Sequence, residues 1–360
     1  MRLNHTFHTD IDMNELLPDI SVIVCTRNRA DSLRITLECL ASARREGILT
    51  EVVVVDNASS DSTKEVVASF RGRIPIRYLY EPTLGSYGKS HALNRALDEG
   101  RLGEIIAILD DDMSPHPDWF QGVVAICKRW PDCDIFAGPS YVIWPSAHVP
   151  DWAKRVRLHS WVFSSSNTGK SDSRLEDGRW FSGNHFWVRS RVFAQGRRFR
   201  DVWLTEPDFI LDLVEMGYRG VAGPDAAAGH RIQPRLLQRD VALDRARKTG
   251  VCYAQVRLRP YRQRVKQARL LHTHPLLGRL FCLLNHLRWR FLYLTSYLYP
   301  SDGSRFEHRL TATERLTTYC ELVRAANHIE DYALWDGRSG IPGKMLDLIL
   351  GRRTPHRDHT

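Results

Sequence analysis

The first third of the chain alternates short, nearly unbroken apolar runs with stretches whose apolar residues recur every three or four positions. Residues 20–25 (Ile-Ser-Val-Ile-Val-Cys), rich in β-branched side chains, predict a buried strand. Residues 31–43, with Leu33, Leu37, Leu40 and Ala41 on one face, predict a helix. The pattern repeats with strands over 51–56, 76–80 and 104–109 and a helix over 91–99. Between the second and third strands, Ser62 followed three residues later by Glu65 predicts a capping box that opens another helix.

Strands that are apolar on both faces predict an α/β, Rossmann-like, mainly parallel sheet flanked by helices. In such sheets ligands bind beyond the carboxyl ends of the strands, and the polar residues sit at those ends. Thr26, Arg27 and Asn28 follow the first strand, Asp56 and Asn57 the second, residues 81–89 the third, and Asp110, Asp111 and Asp112 the fourth. Four strand ends converging on one crevice predict a nucleotide site.

The pattern changes after Pro115. Residues 131–200 carry Trp144, Trp152, Trp161, Trp180 and Trp187, and the Ser/Gly-rich residues 164–177 predict a mobile loop able to close over a ligand. From about 236 the chain predicts a helical C-terminal region, strongest over 280–299 and 311–327. The expected organisation is a tail (1–18), a catalytic domain (19–235, divided at 120 into donor and acceptor halves) and a helical region (236–360).

Composition narrows the function. Hydrophobic residues make up 43% and charged residues 26%, which excludes a disordered chain. The run 280–299 is interrupted by His286, Arg288 and Arg290. Each central arginine costs about 2.5–3.5 kcal/mol in a bilayer, so a spanning helix is not expected. Residues 1–20 lack the apolar run of a secretory signal. The seven cysteines form no Cys-x-x-Cys pair, which argues for a reducing, cytoplasmic location and against a zinc cluster. Of the net charge of +9, residues 231–270 alone contribute +10. That segment suits a phosphorylated ligand, an anionic membrane surface or nucleic acid, or is simply a solvated helix face. With the apolar run that follows, it predicts peripheral membrane contact, the alternative being a helix packed against the catalytic domain.

The acidic triplet carries the sharpest chemistry. Adjacent carboxylates at a strand end suit a hard divalent cation, which takes one or two carboxylates plus substrate phosphates. Asp-x-Asp spacing predicts that Asp110 and Asp112 point one way and Asp111 another.

Four runs together resemble the opening of the family-2 glycosyltransferases: 21–29 (Ser-Val-Ile-Val-Cys-Thr-Arg-Asn-Arg), 53–63, 88–94 and 108–119 (Ile-Leu-Asp-Asp-Asp-Met-Ser-Pro-His-Pro-Asp-Trp). A looser likeness runs through Gly183-Asn184 and residues 205–208 to His230 and fades beyond about 240. The resemblance implies a GT-A fold, a nucleotide-diphospho-sugar donor, inversion at the anomeric carbon, and Mg²⁺ or Mn²⁺. It implies that Thr26 and Arg27 line the nucleoside pocket and that Asp56 bonds the base. Lys89 would face the phosphates, Asp110 the ribose or metal, and Asp112 the metal, with His230 on the metal or phosphates. Asn28, Asn94 and Asp111 complete the donor-side set. The family's acidic pair falls on Thr205 and Glu206, with Pro207 before Asp208, so Glu206 is the expected base and Asp208 its alternate. Trp180, Phe181, Phe186 and Trp187 either stack on sugar or fill the core.

The acceptor is a hydroxyl on a glycan, a lipid-linked group or a small molecule. The departure at Pro207 leaves a non-catalytic sugar-nucleotide-binding relative as an alternative. A basic nucleic-acid-binding or membrane-surface protein is a further one, with nucleic acid the less favoured partner. A nucleotidyltransferase is disfavoured, because residues 26–29 (Thr-Arg-Asn-Arg) contain no phosphate-loop glycine.

Overall fold

A computed structural model of the chain describes residues 17–327 except 87, 147, 156–161, 167, 176–181, 259–274 and 300. Trp161, Trp180 and Phe181 therefore lie outside the described residues, as do most of the tail and residues 328–360.

Strands β1 (Ile20–Thr26), β2 (Thr50–Asp56), β3 (Ile76–Tyr80) and β4 (Ile105–Asp110) form the parallel half of an eight-stranded sheet. Their order is β3-β2-β1-β4, and β1 pairs in parallel with both β2 and β4. Helices α1 (Ala30–Ser42), α2 (Thr63–Ala68) and α3 (Ser90–Glu99) connect them. β1 is buried along its whole length because α1 and α2 cover one face of the sheet and α3 the other.

The capping box does not form. Ser62 occupies the N-cap of α2 but its side chain caps nothing. Asp61, one residue earlier, accepts from Thr63 Oγ1 (2.6 Å) and from Ala30 N (2.9 Å), so one carboxylate anchors the starts of α1 and α2. An ionised acceptor bonds more strongly than a neutral hydroxyl.

Beyond β4 the sheet becomes mixed. After β5 (Met113–Pro115) and α4 (Trp119–Arg129) come β6 (Ile135–Ala137), β7 (Ser140–Ile143), β8 (Ser173–Arg174) and β9 (His185–Arg189). Helix α5 (Thr205–Glu215), β10 (Gly220–Ala222) and β11 (Ala228–Arg231) complete this part. β9 runs antiparallel to both β4 and β6, and β5-β11-β7 form a separate small sheet. Antiparallel entry of β9 delivers its preceding loop, with Gly183 and Asn184, to the carboxyl end of β4. Phe186 and Trp187 are core residues, Trp187 stacked on Phe136 and edge-on to Trp119.

The expected mobile loop is tied down where it is described. Ser140 and Ser166 exchange backbone hydrogen bonds of 2.9 Å, Thr168 donates to Gly223 O, and β8 pairs with β10. Asp172 takes both Arg129 and the Trp130 indole. Ser166 Oγ donates to the Gly138 carbonyl, whereas Ser171 and Ser173 are exposed.

The C-terminal region is helical, with α6 (Arg239–Leu258), α7 (Pro275–Thr295) and α8 (Asp302–Asn327). Residues 259–270 of the basic segment lie outside the described residues, and its described part is not one solvated face. Arg231 is an internal rivet that donates to Met113 O (2.6 Å), Ser32 O (2.8 Å) and Asp111 O (3.1 Å), while Arg239 pairs with Asp302.

His185, 1% exposed, accepts from the Trp119 indole N–H at 2.7 Å, and burial pushes its pKa down to about 3 from 6.5. The folded state keeps it neutral where the unfolded chain protonates it. Stability is therefore lost as pH falls from about 6.5 toward 3, by at most about 1.4 kcal/mol per pH unit from this group. Urea unfolding at neutral and acid pH should show that decline, with a shallower slope in His185→Gln. Equal slopes would locate the acid sensitivity elsewhere.

Candidate active site

A cavity of about 560 Å³ opens at the carboxyl ends of the parallel strands. Of the residues expected from sequence, Thr26, Arg27, Lys89, Asp110, Asp111 and Glu206 line it. Asn28, Asp56, Asn94, Asp112, Asp208 and His230 are not part of that lining, and their bonds show what holds them instead.

Asn28 adopts φ +51°, a left-handed conformation asparagine tolerates. It ties two loops together: its N–H donates to Ser59 Oγ (2.9 Å) and its Oδ1 accepts from Ser60 N (2.7 Å). Asp56, 3% exposed, accepts from Ser59 N (2.8 Å) and Tyr78 OH (2.7 Å). Asn94 clamps the backbone of Phe199, donating to its carbonyl and accepting from its N–H, each at 2.8 Å.

The acidic triplet divides differently from the alternation expected. Asp110 pairs with Lys89, whereas Arg29 bridges Asp111 (2.7 Å) and Asp112 (2.6 Å). Thr26 also donates to Asp111 at 2.7 Å. The chain turns between β4 and β5, so two-residue alternation no longer governs the side chains. Burial pushes the Asp111 carboxyl up to about 7, against the pull of Arg29. Burial also opposes ionisation of Asp112, but His230 and Arg29 hold it well below the usual carboxylate range.

His230, on β11, has Nδ1 2.6 Å from Phe163 O and Nε2 3.4 Å from Asp112 Oδ1. Burial alone would lower its pKa; the Asp112 carboxylate raises it instead. Among the described residues the buried Asp112 Oδ1 has the 3.4 Å contact to His230 Nε2 and no closer hydrogen-bond partner. With Nδ1 donating to Phe163 O, Nε2 presents a lone pair toward that oxygen, a donor set that takes either a proton or a cation. Among the described residues no three His, Cys, Asp or Glu side chains converge as a metal cluster. A hard dication that keeps waters and binds substrate phosphates needs only one or two protein carboxylates, so Asp112 and His230 fit one.

Lys89 joins Asp110 to Glu206 Oε1, the latter at 2.7 Å. Burial opposes its charge, and the two carboxylates hold its pKa well above the usual lysine value. Glu206 lies in the first turn of α5, where Pro207 is tolerated because first-turn N–H groups have no helical partner. Residues two apart on a helix point about 200° apart, so Glu206 and Asp208 cannot both face Lys89. Asp208 instead takes Arg200, with Oδ2 2.7 Å from the guanidinium, which also reaches Asp212. Gly183 permits this packing, since a Cβ there would lie 2.9 Å from Glu206 Cβ and 3.0 Å from Pro207 Cδ.

Among the other residues lining the cavity are Arg29, Asn57, Trp203 and Arg245, to which the sequence assigned no role in the site. Arg29 was visible within the first motif, and Asn57 at a strand end. Trp203 precedes the acids with no distinguishing pattern. Arg245 lay within the basic segment, but only the fold of α6 carries its guanidinium here. Its one hydrogen bond among the described residues is to Ser164 Oγ at 3.3 Å, and burial lowers its pKa.

Residues 21–194 match the sequence model of the family described as Glycosyl transferase family 2. A hyaluronan synthase of Pasteurella multocida is 31% identical over 229 residues, which are 59% of this chain and 22% of the synthase. A validoxylamine A glucosyltransferase of Streptomyces hygroscopicus subsp. jinggangensis is 31% identical over 167 residues, 46% of this chain and 37% of that one. The chain thus spans between about a fifth and somewhat over a third of the length of these curated relatives. Among solved structures, the mannosyltransferase PcManGT of Pyrobaculum calidifontis aligns with a TM-score of 0.47 and 18% identity, covering 94% of this chain and 80% of that one.

Proposed function

We propose that this chain, whose residues 21–194 match the Glycosyl transferase family 2 model, transfers a sugar from a nucleotide-diphospho-sugar to a hydroxyl acceptor, with inversion. The observation that carries this reading is Lys89, which links the strand-end carboxylate of Asp110 to Glu206 inside one cavity.

Thr26, Arg27 and Asn57 provide the wall for the nucleoside, with Asp56 and Asn28 holding the loops behind it. Glu206 accepts the proton of the acceptor hydroxyl as its oxygen attacks the anomeric carbon, and the bond to the diphosphate breaks on the opposite side. Asp208, bound to Arg200, orients the start of α5. Lys89 and Arg245 offset the charge of the departing diphosphate. A divalent cation, Mg²⁺ or Mn²⁺, would be held by Asp112 and His230 with Asp110 alongside, and would supply further charge neutralisation to the diphosphate. A lipid-linked acceptor, and with it peripheral membrane contact, is consistent with the exposed surface of the C-terminal helices.

Incubation with UDP-, GDP- and dTDP-sugars should release a nucleoside diphosphate from one class of donor. Arg245→Ala should lower kcat/KM for that donor by about tenfold to a hundredfold, the worth of a hydrogen bond to a charged group. Donor binding without turnover would favour a non-catalytic relative. Tight, steeply salt-dependent oligonucleotide binding with no donor hydrolysis would favour a nucleic-acid protein.

A further inference from the structure

Among the described residues helix α7 is packed through one side only. Phe281, Cys282 and Trp289 meet Tyr319 and Leu322 of α8 and Ala254 of α6 in a small apolar cluster. The opposite side carries Leu276, Leu280, Leu283, Leu287, Phe291 and Leu294, spaced by three or four residues and 44–80% exposed. Over 21 residues this makes an unbroken apolar strip roughly 30 Å long. Contiguous apolar surface of that extent marks an interaction site.

The border of the strip identifies the partner. Arg279, Arg288 and Arg290 are exposed beside it, and residues 275–299 contain no Asp or Glu. Among the described residues no helix is long and apolar enough to cross a membrane.

We infer that this side of α7 is a docking surface for an anionic lipid bilayer, with the helix lying in the plane of the interface. The leucines and Phe291 enter the acyl boundary, and Arg288 and Arg290 meet lipid phosphates. A second copy of the chain is the poorer occupant. Two such faces in contact would bring Arg288 and Arg290 of both copies together, and residues 275–299 hold no carboxylate to offset them.

Docking follows from the α7 surface alone. One consequence rests on the glycosyl-transfer reading: α7 packs on α8 and α6, and α6 carries Arg245 into the cavity. A docked α7 therefore holds the cavity at a set height above the membrane, where an acceptor carried on lipid would be presented.

The test is co-sedimentation of the full chain with vesicles graded from pure phosphatidylcholine to an equal mixture with phosphatidylglycerol. Binding should rise with phosphatidylglycerol and fall with salt. The double variant Leu287→Glu/Phe291→Glu should lose binding by at least about tenfold with unchanged far-UV circular dichroism, since both side chains are exposed. Arg288→Gln/Arg290→Gln should weaken binding to anionic vesicles roughly 30-fold, about fivefold per arginine. Turnover of a water-soluble acceptor should be unchanged in both double variants, so loss of docking is read separately from loss of catalysis. No binding at low salt, or equal binding by the Glu variant, overturns the inference. So does a wild-type dimer in light scattering that the Glu variant dissociates in the absence of any lipid binding.

Discussion

Glu206→Gln should lower kcat by about 10²–10⁴-fold, the usual contribution of a positioned general base. Donor affinity should change little, because the proton moves only as the acceptor attacks. Glutamine keeps the volume that packs against Gly183 but removes the charge facing Lys89. The comparison that isolates the base is with Asp208→Asn. Asp208 is bound by Arg200 and points away from Lys89, so its variant should lose stability and activity together. A pure kcat defect in Asp208→Asn with near-normal Glu206→Gln would transfer the role of base to Asp208. Both variants should be measured in donor hydrolysis as well as transfer, since hydrolysis does not require the native acceptor.

The second large effect belongs to Asp112. Asp112→Asn should reduce divalent-dependent turnover by on the order of 10²–10³-fold, the scale of losing several kcal/mol of charge stabilisation. A direct binding readout separates a metal role from a structural one. Mn²⁺ should raise the unfolding temperature of the unliganded wild type, because it binds the folded state only, and should leave that of the variant unchanged. The variant itself should unfold at a somewhat lower temperature, since Arg29 keeps Asp111 but loses the charge of Asp112. Turnover that is indifferent to chelator would remove the cation from the reaction and leave Asp112 as a partner of Arg29 and His230 alone.

How far the site could be read in advance varied from residue to residue. The strand ends were legible because an apolar run that stops at a polar cluster is a local signal, as at Thr26, Asp56 and Asp110. Which way each side chain turns was not. Asp111 and Asp112 share Arg29 because the backbone bends after β4, and no spacing rule records a bend. Asn94 belonged to a motif shared with donor-binding residues, yet its amide holds the backbone of Phe199, 105 residues away. Arg245 was one of a dozen basic residues in its segment, and nothing local distinguished it from Arg231, which is locked among backbone carbonyls, or Arg239, which pairs with Asp302 at the surface.

The alternation of strands and helices, the parallel start of the sheet and the place where polar residues collect are written in the order of residues. Each of these follows from periodicity and from apolar burial, which act over a few neighbouring residues. It took the folded chain to set Glu206 rather than Asp208 against Lys89, and Asp112 against His230. It alone brought an arginine from a C-terminal helix into the cavity and left one side of α7 bare. Those outcomes depend on the pairing of elements far apart in the chain, on the antiparallel entry of β9 and on the direction of α5. Ion pairs and packing form where separate elements meet, and the order of residues along the chain does not encode those distances locally.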